Sequence, residues 1–102
     1  MSNTKERTIE EITLSDSFVD DSVYNVVMHN DDFTPFEYVV VVLATVFGYD
    51  PEQGLNIAMH IHRNGSAIVA TTSMEAAYEK VDRVNQLNEQ YGFLLQTTVE
   101  EA

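Results

Sequence analysis

The helix boundary signals are the sequence feature that most constrains the fold, because they recur three times along the chain. The segment Thr34–Glu37 combines a capping threonine, a proline suited to the first helical position and a glutamate that completes a capping box. The segment Asp50–Gln53 repeats this arrangement, and Thr72–Glu75 carries a third capping box. Each signal is followed by a glycine that can end a helix. The sequence therefore predicts three helices.

The first predicted helix contains four consecutive valines, Val39–Val42, and β-branched residues by themselves favour a strand. The capping signal before this run and Gly48 after it decide for a helix. Strands are predicted at residues 24–28, 66–71 and 93–99. The order is therefore β-α-α-β-α-β, which predicts an α+β domain of two layers: a three-stranded antiparallel sheet with three helices on one face.

The composition supports one small domain preceded by an acidic arm. Residues 1–22 are rich in acidic side chains and poor in apolar ones, so we expect a flexible N-terminal extension, with the core domain at 23–102. The formal charge of −12 disfavours nucleic acid and anionic membrane surfaces as partners. The chain has no cysteine and no apolar run near the ~20 residues of a membrane span, so we expect a cytoplasmic protein.

The sequence contains no recognisable catalytic motif. It has no cysteine nucleophile, no Gly-x-Ser-x-Gly elbow and no glycine-rich phosphate loop. His60 and His62 would point about 200° apart on a helix, so they are poorly placed to share a metal ion. We therefore expect no enzymatic activity, no cofactor and no metal.

Ligand binding is better supported, by polar residues at two helix ends. Asn30 and Asp31 precede the first helix, and His62 lies at the end of the second. Carboxylate, amide oxygen and neutral imidazole all accept hydrogen bonds, and together they suit a primary ammonium, which has three donors. The apolar residues expected to line a pocket beside them are Phe36, Val39, Ala58 and Ile61. A purely structural role stays open, with Asp31 or Asp32 bracing a turn and His62 satisfied inside the fold.

These residues resemble a known family. The segment Asn30–Glu37 reads Asn-Asp-Asp-Phe-Thr-Pro-Phe-Glu, and it is followed by Ile61-His62, by Gly65-x-Ala67 and by Lys80-Val81. The pattern is similar to that of ClpS, a family of adaptor proteins of the bacterial N-end rule with relatives in phages and plastids. The resemblance extends over residues 23–102, and the acidic leader is similar to the N-terminal extension typical of the family.

The resemblance implies recognition of a bulky hydrophobic N-terminal residue, the N-degron, and delivery of the substrate protein to a Clp AAA+ ATPase of the ClpA or ClpC type. It implies a cytoplasmic location, or the plastid stroma in a plastid-bearing host. Asn30, Asp31 and His62 would hold the α-amino group, and Glu75 and Lys80 match third-helix positions that contact the ATPase. The side-chain pocket would consist of Thr34, Phe36, Val39, Ala58, Ile61 and Leu95.

The sequence departs from the common family pattern at three positions. Phe36 and Ala58 stand where methionine or a similarly bulky residue is frequent. Val41 stands where a polar residue is usual, which predicts either deeper burial of the first helix or an apolar contact surface on it.

Two other interpretations stay open at this point. One is a generic interaction domain similar to the C-terminal domain of the ribosomal stalk protein, although the glycine-rich and lysine-rich helices expected of that domain are missing. The other, less favoured, is a small hydrolase with a metal ion held by His29, Asp31 and His62.

Overall fold

The computed structural model describes residues 22–102, which form three helices and a three-stranded sheet. The elements are β1 (Tyr24–His29), α1 (Phe36–Phe47), α2 (Pro51–Asn64), β2 (Ser66–Thr72), α3 (Met74–Tyr91) and β3 (Thr97–Glu101). The predicted α+β class and the order β-α-α-β-α-β are confirmed. The predicted acidic arm, residues 1–22, lies outside the described residues except for Ser22.

Strand β1 is the centre of the sheet and pairs antiparallel with both neighbours, so the strand order is β2-β1-β3. Val26 and Met28 are fully buried and pack in the same core cluster as Val42 and Leu43 of α1. The register against β2 shifts by one residue between Val26 and Val27. Within residues 22–102, no helix combines the length and apolar character that a bilayer-spanning helix needs.

The entrance to α2 is as the sequence predicts. The Asp50 carboxylate accepts the backbone N–H of Gln53 at 2.8 Å, and the Gln53 side chain accepts the backbone N–H of Asp50 at 3.3 Å, which closes the capping box. Gly65 ends the helix at a φ of 96°, a left-handed conformation that residues with a Cβ rarely adopt.

The entrances to α1 and α3 differ from the prediction. At α1 the capping position is Pro35, which provides no side-chain cap, because the Thr34 hydroxyl donates to Asp31 instead. At α3 the cap is Ser73, whose hydroxyl accepts the backbone N–H of Ala76 at 3.2 Å. Since alanine is the third residue after Ser73, no capping box forms there.

The third strand begins later than predicted, at Thr97 rather than residue 93. The buried Asn88 side chain on α3 holds the intervening segment, since its amide donates to the Leu95 carbonyl at 2.8 Å and accepts the Tyr38 hydroxyl at 2.8 Å. The Phe93 ring packs on the Tyr38 ring, with 4.5 Å between centroids. Segment 93–96 therefore packs against α3 and α1, and the chain joins the sheet only at Thr97.

The valine run of α1 lies mostly in the core, but Val41 is 52% exposed. Of the two possibilities that the sequence left, the structure favours an apolar side chain presented on the outer face of α1.

Candidate functional site

A cavity of about 570 Å³ lies where the end of β1, the start of α1 and the end of α2 meet. All nine residues predicted for the binding site line it: Asn30, Asp31, Thr34, Phe36, Val39, Ala58, Ile61, His62 and Leu95. Three further lining residues, which the sequence analysis did not assign to the site, are His29, Asp32 and Met59.

Two backbone hydrogen bonds at the end of β1 assemble this cavity from distant parts of the chain. The Asn30 N–H donates to the carbonyl of Gly65, the residue that ends α2, at 2.8 Å. The His29 N–H donates to the Gln96 carbonyl at 3.0 Å. The first bond holds the polar turn beside the last turn of α2, and the second holds it beside the loop that carries Leu95.

The floor of the cavity is apolar and rigid. Val39 of α1, Ala58 and Ile61 of α2, and Leu95 are each 8% exposed or less and belong to the hydrophobic core. Phe36 is partly buried at the start of α1. Because these side chains are fixed by core packing, the cavity is preformed and offers apolar surface to a ligand group.

The rim of the cavity is polar and open to solvent. Asn30, Asp32 and His62 are exposed, and their side chains have no hydrogen-bond partner among residues 22–102. His62 lies in the last turn of α2, where the partial negative charge of a helix C-terminus attracts a cation. The interpretation of His62 as a side chain satisfied inside the fold is therefore wrong.

Asp31 has a structural role that the sequence analysis assigned to it only as an alternative. One carboxylate oxygen accepts the backbone N–H of Phe33 at 3.1 Å, and the other accepts the Thr34 hydroxyl. The Thr34 hydroxyl first, and then the Phe33 N–H, hold the pKa of Asp31 below its usual value. Asp31 therefore braces the turn and also stays anionic, and its oxygens keep further lone pairs that a ligand can use.

Asp32 was predicted only to brace a turn. Residues 32–33 do form a turn, and both Asp31 and Asp32 line the cavity. For Met59 the sequence offered no signal, because neighbouring residues on a helix point about 100° apart and Ala58 was already assigned to the pocket. His29 ends β1, and its Nε2 lies 2.9 Å from the Thr98 hydroxyl.

Glu75 and Lys80, predicted to contact an ATPase, do not line the cavity. Glu75 is exposed in the first turn of α3. Lys80 lies against the end of α1, with Nζ 3.5 Å from the Val46 carbonyl and 6.0 Å from the centroid of the Phe47 ring. Lys80 therefore lies where α3 meets the end of α1.

The residues suggested for a metal site do not assemble into one. Across residues 22–102, no group of three His, Asp or Glu side chains is placed to hold a metal ion, and this includes His29, Asp31 and His62. His60 is exposed and contacts Asn64, whose side-chain nitrogen lies 3.2 Å from the ring Nδ1.

Comparison with known proteins decides between the remaining interpretations. A family model described as "ATP-dependent Clp protease adaptor protein ClpS" matches residues 20–98. The chain belongs to the ClpS family. The ribosomal-stalk and hydrolase interpretations have no support from these comparisons.

Relatives of the ClpS family match over most of their length. The chain is 38% identical to the ATP-dependent Clp protease adapter protein ClpS of Desulforapulum autotrophicum, over 94% of this chain and 90% of that protein. It is 41% identical to ClpS of Pectobacterium carotovorum subsp. carotovorum, over 79% and 76%. The structure of Agrobacterium tumefaciens ClpS2 bound to L-phenylalaninamide superposes with a TM-score of 0.78 and 36% identity, over 81% of this chain and all of that one.

Proposed function

We propose that this chain is an adaptor that binds the bulky hydrophobic N-terminal residue of a substrate protein and delivers the protein to a Clp AAA+ ATPase for degradation. One observation supports the proposal above all: a cavity with a buried apolar floor and a rim of hydrogen-bond acceptors. A chain terminus that begins with a large apolar side chain has the matching groups, an apolar body beside an ammonium.

The ligand of the Agrobacterium relative has this chemistry. L-phenylalaninamide carries an aromatic side chain, a free α-amino group, and an amide in the place of the first peptide bond. In this chain we expect the aromatic ring on the floor formed by Val39, Ala58, Ile61 and Leu95. The large Phe36 at the entrance to the floor and the small Ala58 within it would then set which side chains fit.

The α-amino group would bind at the rim. It has an ordinary pKa of about 7.7–8.0 and is therefore mostly protonated near neutral pH. Asn30 and His62 offer an amide oxygen and an imidazole nitrogen as acceptors, while the carboxylates of Asp31 and Asp32 supply negative charge. We assign Asp31 the added task of holding the turn, through Phe33 and Thr34, so that the rim keeps its shape without a ligand.

The adaptor role requires a second surface, for the ATPase. We propose that Glu75 and Lys80 provide it and that the ATPase is of the ClpA or ClpC type. Both residues lie outside the cavity, so one adaptor would be able to hold its substrate while it contacts the ATPase. We expect no catalytic activity of its own and a cytoplasmic location, or the plastid stroma in a plastid-bearing host.

A panel of fluorescent peptides that differ only in the first residue tests the proposal. Peptides that start with Phe, Leu, Tyr or Trp are expected to bind, and those that start with Ser or Glu are not, as measured by fluorescence anisotropy. N-acetylation removes the cationic donor and would leave the acceptors desolvated, so we expect at least about a tenfold loss of affinity. Equal binding of acetylated and free peptides would contradict the proposal.

A further inference from the structure

A second, smaller cavity of about 150 Å³ adjoins the rim of the main one. It is lined by Asp31, Phe33, Gly92, Phe93 and Leu94, and is here called the side pocket. Asp31 lines both cavities, so the two adjoin at this residue. We propose that the side pocket binds the side chain of the second residue of the bound peptide and favours an apolar one. This inference rests on the proposed function.

The side pocket brings together the two most exposed large apolar side chains of residues 22–102. Phe33 is 91% exposed and Leu94 is 85% exposed. A single exposed apolar side chain is ordinary on a protein surface, but two that line the same cavity form an apolar contact surface. Core packing does not account for either side chain, whereas contact with a ligand would.

The backbone of both walls of the side pocket is held in place before any ligand binds. The Phe33 backbone is fixed by its hydrogen bond to the Asp31 carboxylate. The opposite wall is fixed at both ends by Asn88, which accepts the Phe93 N–H at 3.0 Å through its backbone and donates its side-chain amide to the Leu95 carbonyl. Ligand binding therefore costs little backbone entropy here, and the Phe33 and Leu94 side chains are the groups that have to become ordered.

The position of the side pocket suits the second residue of a peptide. Successive Cα atoms are about 3.8 Å apart, and successive side chains of an extended chain point to opposite sides. With the first side chain in the main cavity and the ammonium at the rim, the second side chain lies across Asp31 from the first. A cavity of about 150 Å³ accepts a group the size of benzene, so one Leu, Met or Phe side chain is the expected occupant.

Two peptides that both begin with Phe and differ only at the second residue, Leu or Ser, test this inference by fluorescence anisotropy. The Leu peptide is expected to bind about 3- to 10-fold more tightly, which corresponds to partial burial of one apolar side chain. The variants Leu94→Ser and Phe33→Ser should bring this ratio of Kd values close to one. Leu55→Ser is the matched control, since Leu55 is 47% exposed on α2 and lines neither cavity, and its ratio should equal that of the wild type.

Each other outcome separates this inference from the proposed function. Equal binding of the two peptides, with no binding of their N-acetylated forms, would overturn the side pocket and leave the adaptor function standing. Binding of acetylated and free peptides alike would overturn both. If Leu94→Ser and Phe33→Ser still bound the Leu peptide more tightly than the Ser peptide, the second side chain would bind outside the side pocket, and the inference would be wrong. If the apparent Kd of the wild type changed with adaptor concentration and that of Leu94→Ser did not, the side pocket would be occupied by a second copy of the chain and not by the peptide.

Discussion

The entrances to α1 and α2 contain the same kinds of residue and use them differently. At α2, the Asp50 carboxylate caps the helix to which it leads, and Gln53 returns the hydrogen bond. At α1, Asp31 and Thr34 bind each other, and the helix begins after Pro35 with no side-chain cap. One entrance therefore serves the helix, and the other serves the cavity beside it.

This difference shows where the two helices get their stability. An N-terminal cap contributes about 1 kcal/mol, and α1 forms without one. Its first turn is instead held by the Pro35 carbonyl, which accepts the N–H groups of Tyr38 and Val39, and by burial of Val42 and Leu43 in the core. Because packing holds α1, the polar groups at its entrance are available for a ligand.

The largest effect should come from removing an acceptor at the rim. His62→Ala is expected to weaken binding of a peptide that begins with Phe by about 10- to 100-fold, since hydrogen bonds to charged groups contribute about 1.5–3 kcal/mol. The matched control is His60→Ala, an exposed histidine two residues away that does not line the cavity. Fluorescence anisotropy measures both. Similar affinities for the two variants would mean that the rim does not bind the ammonium through His62.

The next effect should appear in stability and not in binding. Asp50→Ala removes the cap of α2 and should lower the free energy of unfolding by about 1 kcal/mol, or the Tm by about 4–8 °C. Thermal unfolding followed by circular dichroism measures this, and peptide affinity at 25 °C should equal that of the wild type. A loss of affinity in the folded Asp50→Ala protein would break the distinction between the two entrances.

The α2 entrance could be predicted from the sequence because both of its partners lie within three residues and nothing competes for them. The α1 entrance could not be predicted in this way. The Thr34 hydroxyl can hydrogen-bond either to the first turn of its own helix or to Asp31, and the local sequence does not show which bond is more stable. The late start of β3 could not be predicted from the sequence either. It depends on Asn88 and Tyr38, which are 50 residues apart in the chain.

The candidate site divides in the same way. Residue chemistry at helix ends indicated Asn30, Asp31 and His62, and periodicity indicated the apolar residues of α1 and α2. Leu95 came from the family resemblance alone, because its place in the cavity depends on the long-range bond between His29 and Gln96. The roles of these residues in binding stay predictions. Asp32 was predicted only to brace a turn, and the sequence alone does not show that this turn also brings it to the cavity.

A smaller effect should follow from loosening the turn at the α1 entrance. Thr34→Val removes the hydroxyl that donates to Asp31, so the Phe33 N–H is the one remaining donor to that carboxylate within residues 22–102, and the Thr34 N–H still donates to the Asp31 backbone carbonyl. We expect peptide affinity to fall about threefold, which is about 0.7 kcal/mol and within the range for one hydrogen bond. Thr45→Val, the same change at an exposed position of α1, is the control. If Thr34→Val lowered stability as much as Asp50→Ala and left affinity intact, Thr34 would be a helix cap after all.

The smallest effect should be a change in how stability depends on pH. The Thr34 hydroxyl and the Phe33 N–H lower the pKa of Asp31 in the folded protein. A carboxyl of this kind adds stability above its unfolded pKa of about 3.9, and this contribution disappears as the pH falls through the lower, folded pKa. In urea unfolding, the free energy of unfolding of Asp31→Asn should therefore be lower than that of the wild type at about pH 5–7, and the two values should converge below about pH 4.

The free energy of unfolding of Thr34→Val should lie between those of the wild type and Asp31→Asn, since one of the two donors to the carboxylate remains. Curves for wild type and Asp31→Asn that stay parallel down to acid pH would show that the turn does not stabilise the Asp31 carboxylate, and the α1 entrance would then differ from α2 only in lacking a cap.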